Sequence, residues 1–307
     1  MKHNLKITVI LLVMFLLTQF IGLVVLSAGV PDIQVGENKT IGDVVGLPEP
    51  ETQKEHTNLF LTGILPAFII AIVLLFLLMK FKIEIILRLW FFAVVTIALI
   101  LSFLAFINII PWFTLDINPA LIIAIVLALP LAFIKIFKRN LLVHNFTELL
   151  IYPGIAVVFV PLLNIYTIIA LLILISLYDM WAVWKSGVMQ KMAKYQIKKV
   201  KVFSGFFVPY LTKKQKLELK KSKKSSKGKA IKVNVAILGG GDIIFPIITA
   251  GVMLKTLGLL SAVFVILGAA LGLGYLFFLA KKKKFYPAMP FITAGIFLGM
   301  LLSWIIL

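Results

Sequence analysis

Long apolar segments separated by short polar connections make up most of the chain, and their lengths predict its secondary structure. A helix needs about 20 apolar residues to cross roughly 30 Å of hydrocarbon. Nine segments are long and apolar enough, at residues 5–28, 58–79, 84–110, 119–137, 146–166, 167–185, 233–254, 257–280 and 286–307. The pattern therefore predicts an all-α membrane protein with nine transmembrane helices.

The first segment has some features of a secretory signal peptide, because Lys2 and Lys6 precede an apolar run. That run, from Ile7 to Ala28, is longer than the ~7–15 residues of a signal-peptide core. We therefore predict that it is a retained helix.

Basic residues cluster on alternate connections, and this asymmetry predicts how the helices cross the membrane. Lysine and arginine are enriched in cytoplasmic loops. They cluster at the N-terminus and after the second, fourth, sixth and eighth predicted spans, whereas the intervening connections contain few of them. The pattern predicts a cytoplasmic N-terminus and a C-terminus on the outer side of the membrane.

Composition agrees with a membrane protein and divides the chain into three parts. The 307 residues are 62% hydrophobic, compared with roughly 45–50% apolar residues in soluble domains. The net charge is +19, and sixteen of the 31 basic residues lie between Lys185 and Lys232. In such an apolar chain this charge suits anionic lipid head groups better than nucleic acid. We predict a six-helix part (1–185), a lysine-rich cytoplasmic loop (186–232) and a three-helix part (233–307).

Two of the 12 acidic residues, Asp179 and Asp242, lie well inside apolar segments. A carboxylate there is costly to bury and indicates a functional site. Asp179 lies about 9 Å before Lys185, and Asp242 about 15 Å after Lys232, at ~1.5 Å per helical residue. Because the sixth and seventh spans are adjacent and antiparallel, we expect the two carboxyl groups to face each other near the cytoplasmic side.

Two facing carboxyl groups can act as a general acid and a general base. Like charges a few ångström apart tend to share one proton and titrate as a unit. The ionised member takes a proton from water, and the protonated member donates to a substrate carbonyl. This chemistry requires no metal and no cofactor. Gly239, Gly240 and Gly241 precede Asp242 and leave room for a substrate backbone, although glycines also suit close packing between helices.

These short sequences resemble the motifs of a known protease family. The pair Tyr178-Asp179 and the GGGD sequence at 239–242 are similar to the YD and GxGD motifs of the presenilin and signal peptide peptidase family. The PAM sequence at 287–289 resembles that family's PAL motif, with methionine in place of leucine. Nine spans and a hydrophilic loop between the sixth and seventh are also presenilin-like.

The resemblance implies an intramembrane-cleaving aspartyl protease that uses Asp179 and Asp242 and needs no cofactor. It also implies that Pro287, Ala288 and Met289 lie beside the two aspartates and help to shape the substrate groove. The expected partners are transmembrane-helix substrates, either single-span membrane proteins or signal peptides. The predicted direction of the sixth span, outer side to inner side, is that of presenilins. The chain resembles the microbial presenilin homologues most, which implies a multi-pass protein of the cell membrane.

Other proteolytic chemistries find little support. A zinc protease needs histidines one helical turn apart, as in HExxH, but His3, His56 and His144 are far apart. No GxSG sequence of the rhomboid type is present. We interpret His144 and Glu148 as an interfacial pair near the start of the fifth span.

Three alternatives stay open at this point. The aspartates are also compatible with a proton or cation site in a transporter or channel, although the chain has no obvious inverted repeat. A prepilin-peptidase-like enzyme would use a GxGD aspartate but would leave the PAM sequence unexplained. A packing protein would use the aspartates only to bind neighbouring helices. Separately, the apolar stretch 202–211 is a candidate plug over the active site.

Overall fold

The computed structural model describes residues 5–29, 50–81, 84–110, 117–138, 140–185, 195, 202–210, 215, 234–280 and 286–307. This part of the chain is a helical bundle with one small sheet. Its elements in order are α1 (Leu5–Ala28), α2 (Gln53–Leu59), α3 (Leu65–Phe81), α4 (Glu84–Ile109), α5 (Ile117–Phe133), α6 (Leu141–Phe159), α7 (Ile165–Met180), β1 (Gly205–Tyr210), β2 (Asn234–Gly239), α8 (Gly241–Leu257), α9 (Leu259–Leu279) and α10 (Met289–Ile306). Single π-helical turns join α2 to α3 and extend α5 and α7.

The predicted bundle of membrane-length helices is confirmed. Eight helices in the described residues are long and apolar enough to cross a membrane, counting α2 and α3 as one. Helix α8, with 17 residues, takes the place of the predicted seventh span. The sides of the membrane on which the termini lie stay a prediction.

Helix α8 lies at the centre of the bundle. It contacts α1, α6, α7, α9 and α10, and all its residues from Pro246 to Met253 are buried. A helix surrounded in this way is apolar on every face, which is why its sequence shows little amphipathic periodicity. The centre of the protein is thus the helix that begins beside Asp242.

The structure corrects the predicted limits of the fifth and seventh spans. The fifth helix is Leu141–Phe159 rather than 146–166, because Asn140 caps it by accepting the N–H groups of Leu142 and Val143. The helix ends at Phe159, shortly before Pro161, which has no N–H group to donate to a further turn. The predicted seventh span, 233–254, was wrong at its start, because residues 234–239 form strand β2 and the helix begins only at Gly241.

Strand β2 pairs with β1 in an antiparallel sheet that runs from Gly205 opposite Gly239 to Tyr210 opposite Asn234. Most of the candidate plug, 202–211, is therefore strand β1. Alternate residues of the two strands are buried, including Phe206 and Leu238, as expected for a sheet with one face on the core. The sheet ends directly at the first turn of α8.

Helices α9 and α10 pack closely through glycines. A Cβ added at Gly268 or Gly272 would collide with backbone of α10, and one added at Gly295 or Gly299 would collide with backbone of α9. Small residues allow transmembrane helices to approach until their backbones touch. This contact fixes where α10 begins, and α10 begins at the PAM sequence.

Candidate active site

The structure brings the two predicted aspartates to neighbouring helix ends. Asp179 lies in the last turn of α7 with 6% of its surface exposed, and Asp242 lies half-buried in the first turn of α8. The two helices contact each other, and the two carboxyl groups are close enough to interact electrostatically. Two carboxyl groups in such surroundings are suited to share a proton.

The start of α10 binds the carboxyl group of Asp179. The backbone N–H of Met289 donates to Asp179 Oδ2 at 3.0 Å. The first N–H groups of a helix have no partner within that helix, and they favour a negative charge. Pro287 and Met289 are buried beside this contact. The predicted PAM residues therefore meet Asp179 through their backbone.

A second contact ties α7 to α10 one turn away. Ser176 Oγ donates to Thr293 Oγ1 at 2.8 Å, and both side chains are buried. Because Ser176 lies three residues before Asp179 and Thr293 four residues after Met289, the two contacts together fix the relative position of these helix ends.

The three predicted glycines differ in what surrounds them. A Cβ on Gly239 would lie 3.2 Å from Asp242 Oδ2, so the backbone here runs against the carboxyl group. A Cβ on Gly240 would meet Ser204 Oγ at 2.6 Å and the Tyr152 hydroxyl at 2.8 Å. Gly241 is exposed and has room for a side chain. None of the three has a positive φ. A glycine is needed at position 240 because a side chain has no room there, and not because the backbone conformation requires one.

The ring of Tyr178 packs between α3 and the turn that follows α7. Its ring lies edge-on to Phe68 of α3, with ring centroids 6.2 Å apart, and tilted against Trp181. The tyrosine therefore joins the end of α7 to α3. It is half-buried.

Sequence reasoning missed two buried polar groups near this site. Gln19 of α1 is fully buried and donates from Nε2 to the carbonyl of Ile243 at 3.0 Å, which holds the first turn of α8. Glu148 is also buried, with 1% of its surface exposed, so the predicted pair with His144 forms, at 3.6 Å, inside the protein rather than at the interface. Lys135 and His144 are buried next to it.

One signal would have revealed this cluster from the sequence. His144, Glu148 and Tyr152 follow one another at intervals of four residues, so they share one face of a helix. Lys135 gives no such signal, because it lies at the end of a predicted span. Among the residues that the structure describes, no group of three or more His, Cys, Asp or Glu side chains is arranged to hold a metal ion.

The chain is similar to known proteins over most of its length. The family described as "Signal-peptide peptidase, presenilin aspartyl protease" matches residues 43–307. A structure of a presenilin family intramembrane aspartate protease in space group C222 has a TM-score of 0.61 and 17% sequence identity, covering 98% of this chain and 99% of that one. A structure of such a protease in space group P2 has a TM-score of 0.56 and 18% identity, covering 97% of each chain. No curated protein matches by sequence.

Proposed function

Because the chain belongs to the signal-peptide peptidase and presenilin aspartyl protease family, we propose that Asp179 and Asp242 are the catalytic pair with which it cleaves transmembrane helices. The protein is a multi-pass integral membrane protein with an intramembrane aspartyl protease fold. One observation supports the assignment of the pair most strongly. Asp179 is buried, interacts electrostatically with Asp242 and accepts the N–H of Met289.

The reaction that this pair supports is addition of water to a peptide bond. One carboxylate takes a proton from water as the water oxygen bonds to the carbonyl carbon, and the other carboxyl group donates its proton to the carbonyl oxygen. The C–N bond of the resulting gem-diol then breaks as the nitrogen receives a proton from the pair, and one hydroxyl of the diol returns a proton to the pair as the carbonyl re-forms. The two groups finish the cycle sharing one proton, as they began it.

A helical substrate must unwind before it is cleaved, because its backbone groups are already hydrogen-bonded to one another. Strand β2 offers a place for the released backbone. The backbone N–H of Phe207 donates to Asn145 Oδ1 of α6 at 3.0 Å, and the backbone carbonyl of Phe207 accepts from Asn145 Nδ2 at 2.8 Å. The pair Phe207–Ile237 is therefore not hydrogen-bonded across the sheet, and the backbone groups of Ile237 point away from β1.

Because hydrogen-bonded pairs alternate along the sheet, the backbone groups of Val235 and Gly239 also point away from β1. Strand β2 therefore has an outer edge that ends three residues before Asp242. An extended substrate segment that pairs with this edge would run towards the two carboxyl groups. This edge supports cleavage of unwound transmembrane segments. The pairing of β1 with β2 favours a supporting role for 202–211, in which β1 holds β2 in place, and the plug hypothesis stays untested.

We propose single-span proteins with an outer N-terminus as the substrate class, because the predicted direction of α7 is that of presenilins. Signal peptides, which cross the membrane in the opposite direction, are the other class to compare. The binding of anionic lipid by the 186–232 loop stays a prediction. Most of that loop lies outside the described residues.

The test compares purified wild-type protein with Asp179→Ala and Asp242→Ala on a single-span substrate in lipid vesicles. We expect the wild type to cut inside the transmembrane segment, as located by mass spectrometry of the products, and each variant to be inactive while still inserted. Cleavage by either variant would contradict the assignment. Ion flux that depends on the two aspartates, without proteolysis, would indicate a transporter instead.

A further inference from the structure

A row of buried polar side chains on α6 leads from the end of α5 to the glycine before the first turn of α8. Lys135 Nζ lies 2.5 Å from Glu148 Oε1, and both side chains are almost completely buried. Lys135 Nζ also lies 3.4 Å from His144 Nδ1, and His144 Nε2 bonds to the Gly205 carbonyl of β1 at 2.8 Å. This cluster takes no part in the peptide hydrolysis described above.

Tyr152 follows Glu148 by one helical turn and is 1% exposed. Its hydroxyl faces the Glu148 carboxylate on one side. On the other side it lies 3.3 Å from Ser204 Oγ, within hydrogen-bond distance. Its ring packs edge-on against Phe206 of β1, with ring centroids 6.1 Å apart. The hydroxyl is therefore held in one place by its neighbours.

Gly240 lies directly against these two hydroxyl groups. Its N–H donates to the Ser204 carbonyl at 3.2 Å, and there is no room for a Cβ between it and Ser204 Oγ or the Tyr152 hydroxyl. Gly240 is also the N-cap of α8, and its carbonyl accepts the N–H groups of Ile243 and Ile244. The position of Gly240 therefore sets the direction in which Asp242 leaves the backbone two residues later.

Stability alone is a poor explanation for this cluster. A buried ion pair contributes little to stability relative to well-packed apolar residues. Such an arrangement is better explained by a requirement for precise placement.

We propose that Tyr152 and Ser204 are positioning residues for Asp242. The two hydroxyl groups pack against Gly240 and fix the position of the first turn of α8. In this position the Asp242 carboxyl group lies close to the Asp179 carboxyl group. Lys135 and Glu148 form the buried support behind Tyr152, and His144 attaches β1 to the same helix. The inference rests on the proposed function of Asp242.

The experiment measures kcat and KM of Tyr152→Phe, Ser204→Ala and the double variant, per active site. We expect kcat to fall about 10–100-fold in each single variant, since a small misplacement of a reacting group costs that much. We expect KM to change by less than about twofold, as for a loss confined to the transition state. The double variant should be no slower than the slower single variant, because both changes break the same contact.

Two other hydroxyl groups provide a matched control. Ser261 and Ser303 join α9 to α10 through a buried contact of 2.7 Å, away from the two aspartates. Ser261→Ala and Ser303→Ala each remove one hydroxyl group from a contact between two side chains, as Ser204→Ala does, although Ser204 is exposed and these two serines are buried. We expect them to leave kcat unchanged. Tyr166→Phe changes an exposed tyrosine near the start of α7 and controls for the loss of a phenolic hydroxyl.

A second measurement does not depend on cleavage. We expect faster amide hydrogen exchange at residues 239–244 in Tyr152→Phe and Ser204→Ala than in the wild type and in the serine controls. Unchanged exchange there, or an unchanged kcat in Tyr152→Phe, would overturn the inference. A fall in kcat of the double variant equal to the product of the two single falls would also overturn it, because it would indicate that the two residues act independently. If the wild-type protein does not cleave but the variants still show faster exchange, the proposed function is contradicted and the positioning of Gly240 by Tyr152 and Ser204 is not.

Discussion

The contact between Asp179 and the PAM sequence explains a departure from the family's motif. The group that reaches Asp179 Oδ2 is the backbone N–H of Met289, and any residue except proline supplies that group. Methionine and leucine have similar volumes, so exchanging them in a packed site is usually well tolerated. The residue type at position 289 therefore matters less than its N–H group.

The first prediction compares two changes at that position. We expect Met289→Leu to retain activity within about twofold, as a volume-conserving change. Met289→Pro removes the N–H donor, and it also disfavours the helical conformation that Ala288 adopts just before it. We expect an activity loss of about tenfold or more. Initial rates on one substrate, with helix content measured by circular dichroism, test this. Equal activity of the two variants would show that the N–H group is dispensable.

The glycines before Asp242 give a second prediction at the same scale. Gly240→Ala places a methyl group against two hydroxyl oxygens, and such overpacking lowers the free energy of unfolding by about 1–3 kcal/mol. Gly241→Ala has room and should be neutral or stabilising by up to about 1 kcal/mol, because alanine favours the helix. Unfolding of both variants in detergent micelles provides the measurement. Similar stabilities for the two would contradict the account.

Asp179 and Asp242 could be found from the sequence because a charge within a long apolar run is conspicuous. Glu148 was harder to recognise, since it lies near the end of a predicted span, where a carboxylate usually reaches water, and only its four-residue spacing from His144 and Tyr152 marks it. Only the packing of α5, α6 and β1 buries it together with Lys135. The backbone contact from Met289 was likewise hidden, because sequence patterns do not show which N–H group of a helix faces a distant side chain.

At the scale of elements, the ion pair between α5 and α6 leads to a third prediction. Glu148→Leu leaves the Lys135 ammonium group buried without its partner, and we expect the free energy of unfolding to fall by about 3–5 kcal/mol. Lys135→Met combined with Glu148→Leu replaces the pair by apolar residues and should restore most of that loss. Denaturant unfolding in micelles compares the two. A double variant no more stable than Glu148→Leu would contradict this account, because it would show that the unpaired Lys135 ammonium group costs nothing.

The contact between α9 and α10 leads to a fourth prediction. Gly295→Ala would push a methyl group into the Gly268 carbonyl, whereas the nearest atom to a methyl group at Gly274 is 4.0 Å away. We expect Gly295→Ala to lower both stability and activity, because α10 would move and its first turn binds Asp179. Gly274→Ala should do neither. Full activity in Gly295→Ala would show that the position of α10 is not critical.

The change from strand to helix near Gly240 could not be predicted from hydrophobicity. The segment from Asn234 to Gly239 is as apolar as the helix after it, so an average over a membrane-length window joins them. The alternation of buried and exposed residues in β2 becomes meaningful only when β1 is known to pair with it. That pairing joins segments more than twenty residues apart in the sequence.

At the scale of the whole molecule, the apolar segments and the placement of lysine and arginine were enough to predict a helical membrane bundle. Both signals follow from the bilayer itself, which requires a minimum helix length and favours basic residues on one side. The sequence gives no comparable indication of which helices contact each other, because a helix such as α8 is apolar on every face. The arrangement of helices around α8 therefore came only from the structure.

The central claim is that Asp179 and Asp242 act as one catalytic unit, and a double-variant cycle tests it most directly. Single-turnover cleavage of a single-span substrate is measured for Asp179→Asn, Asp242→Asn and the double variant. We expect each single change to reduce the rate by about 10²–10⁴-fold or more, and the double variant to be no slower than the slower single one, because the residues act as a unit. A wild-type rate in either single variant, or losses that multiply in the double one, would contradict the claim.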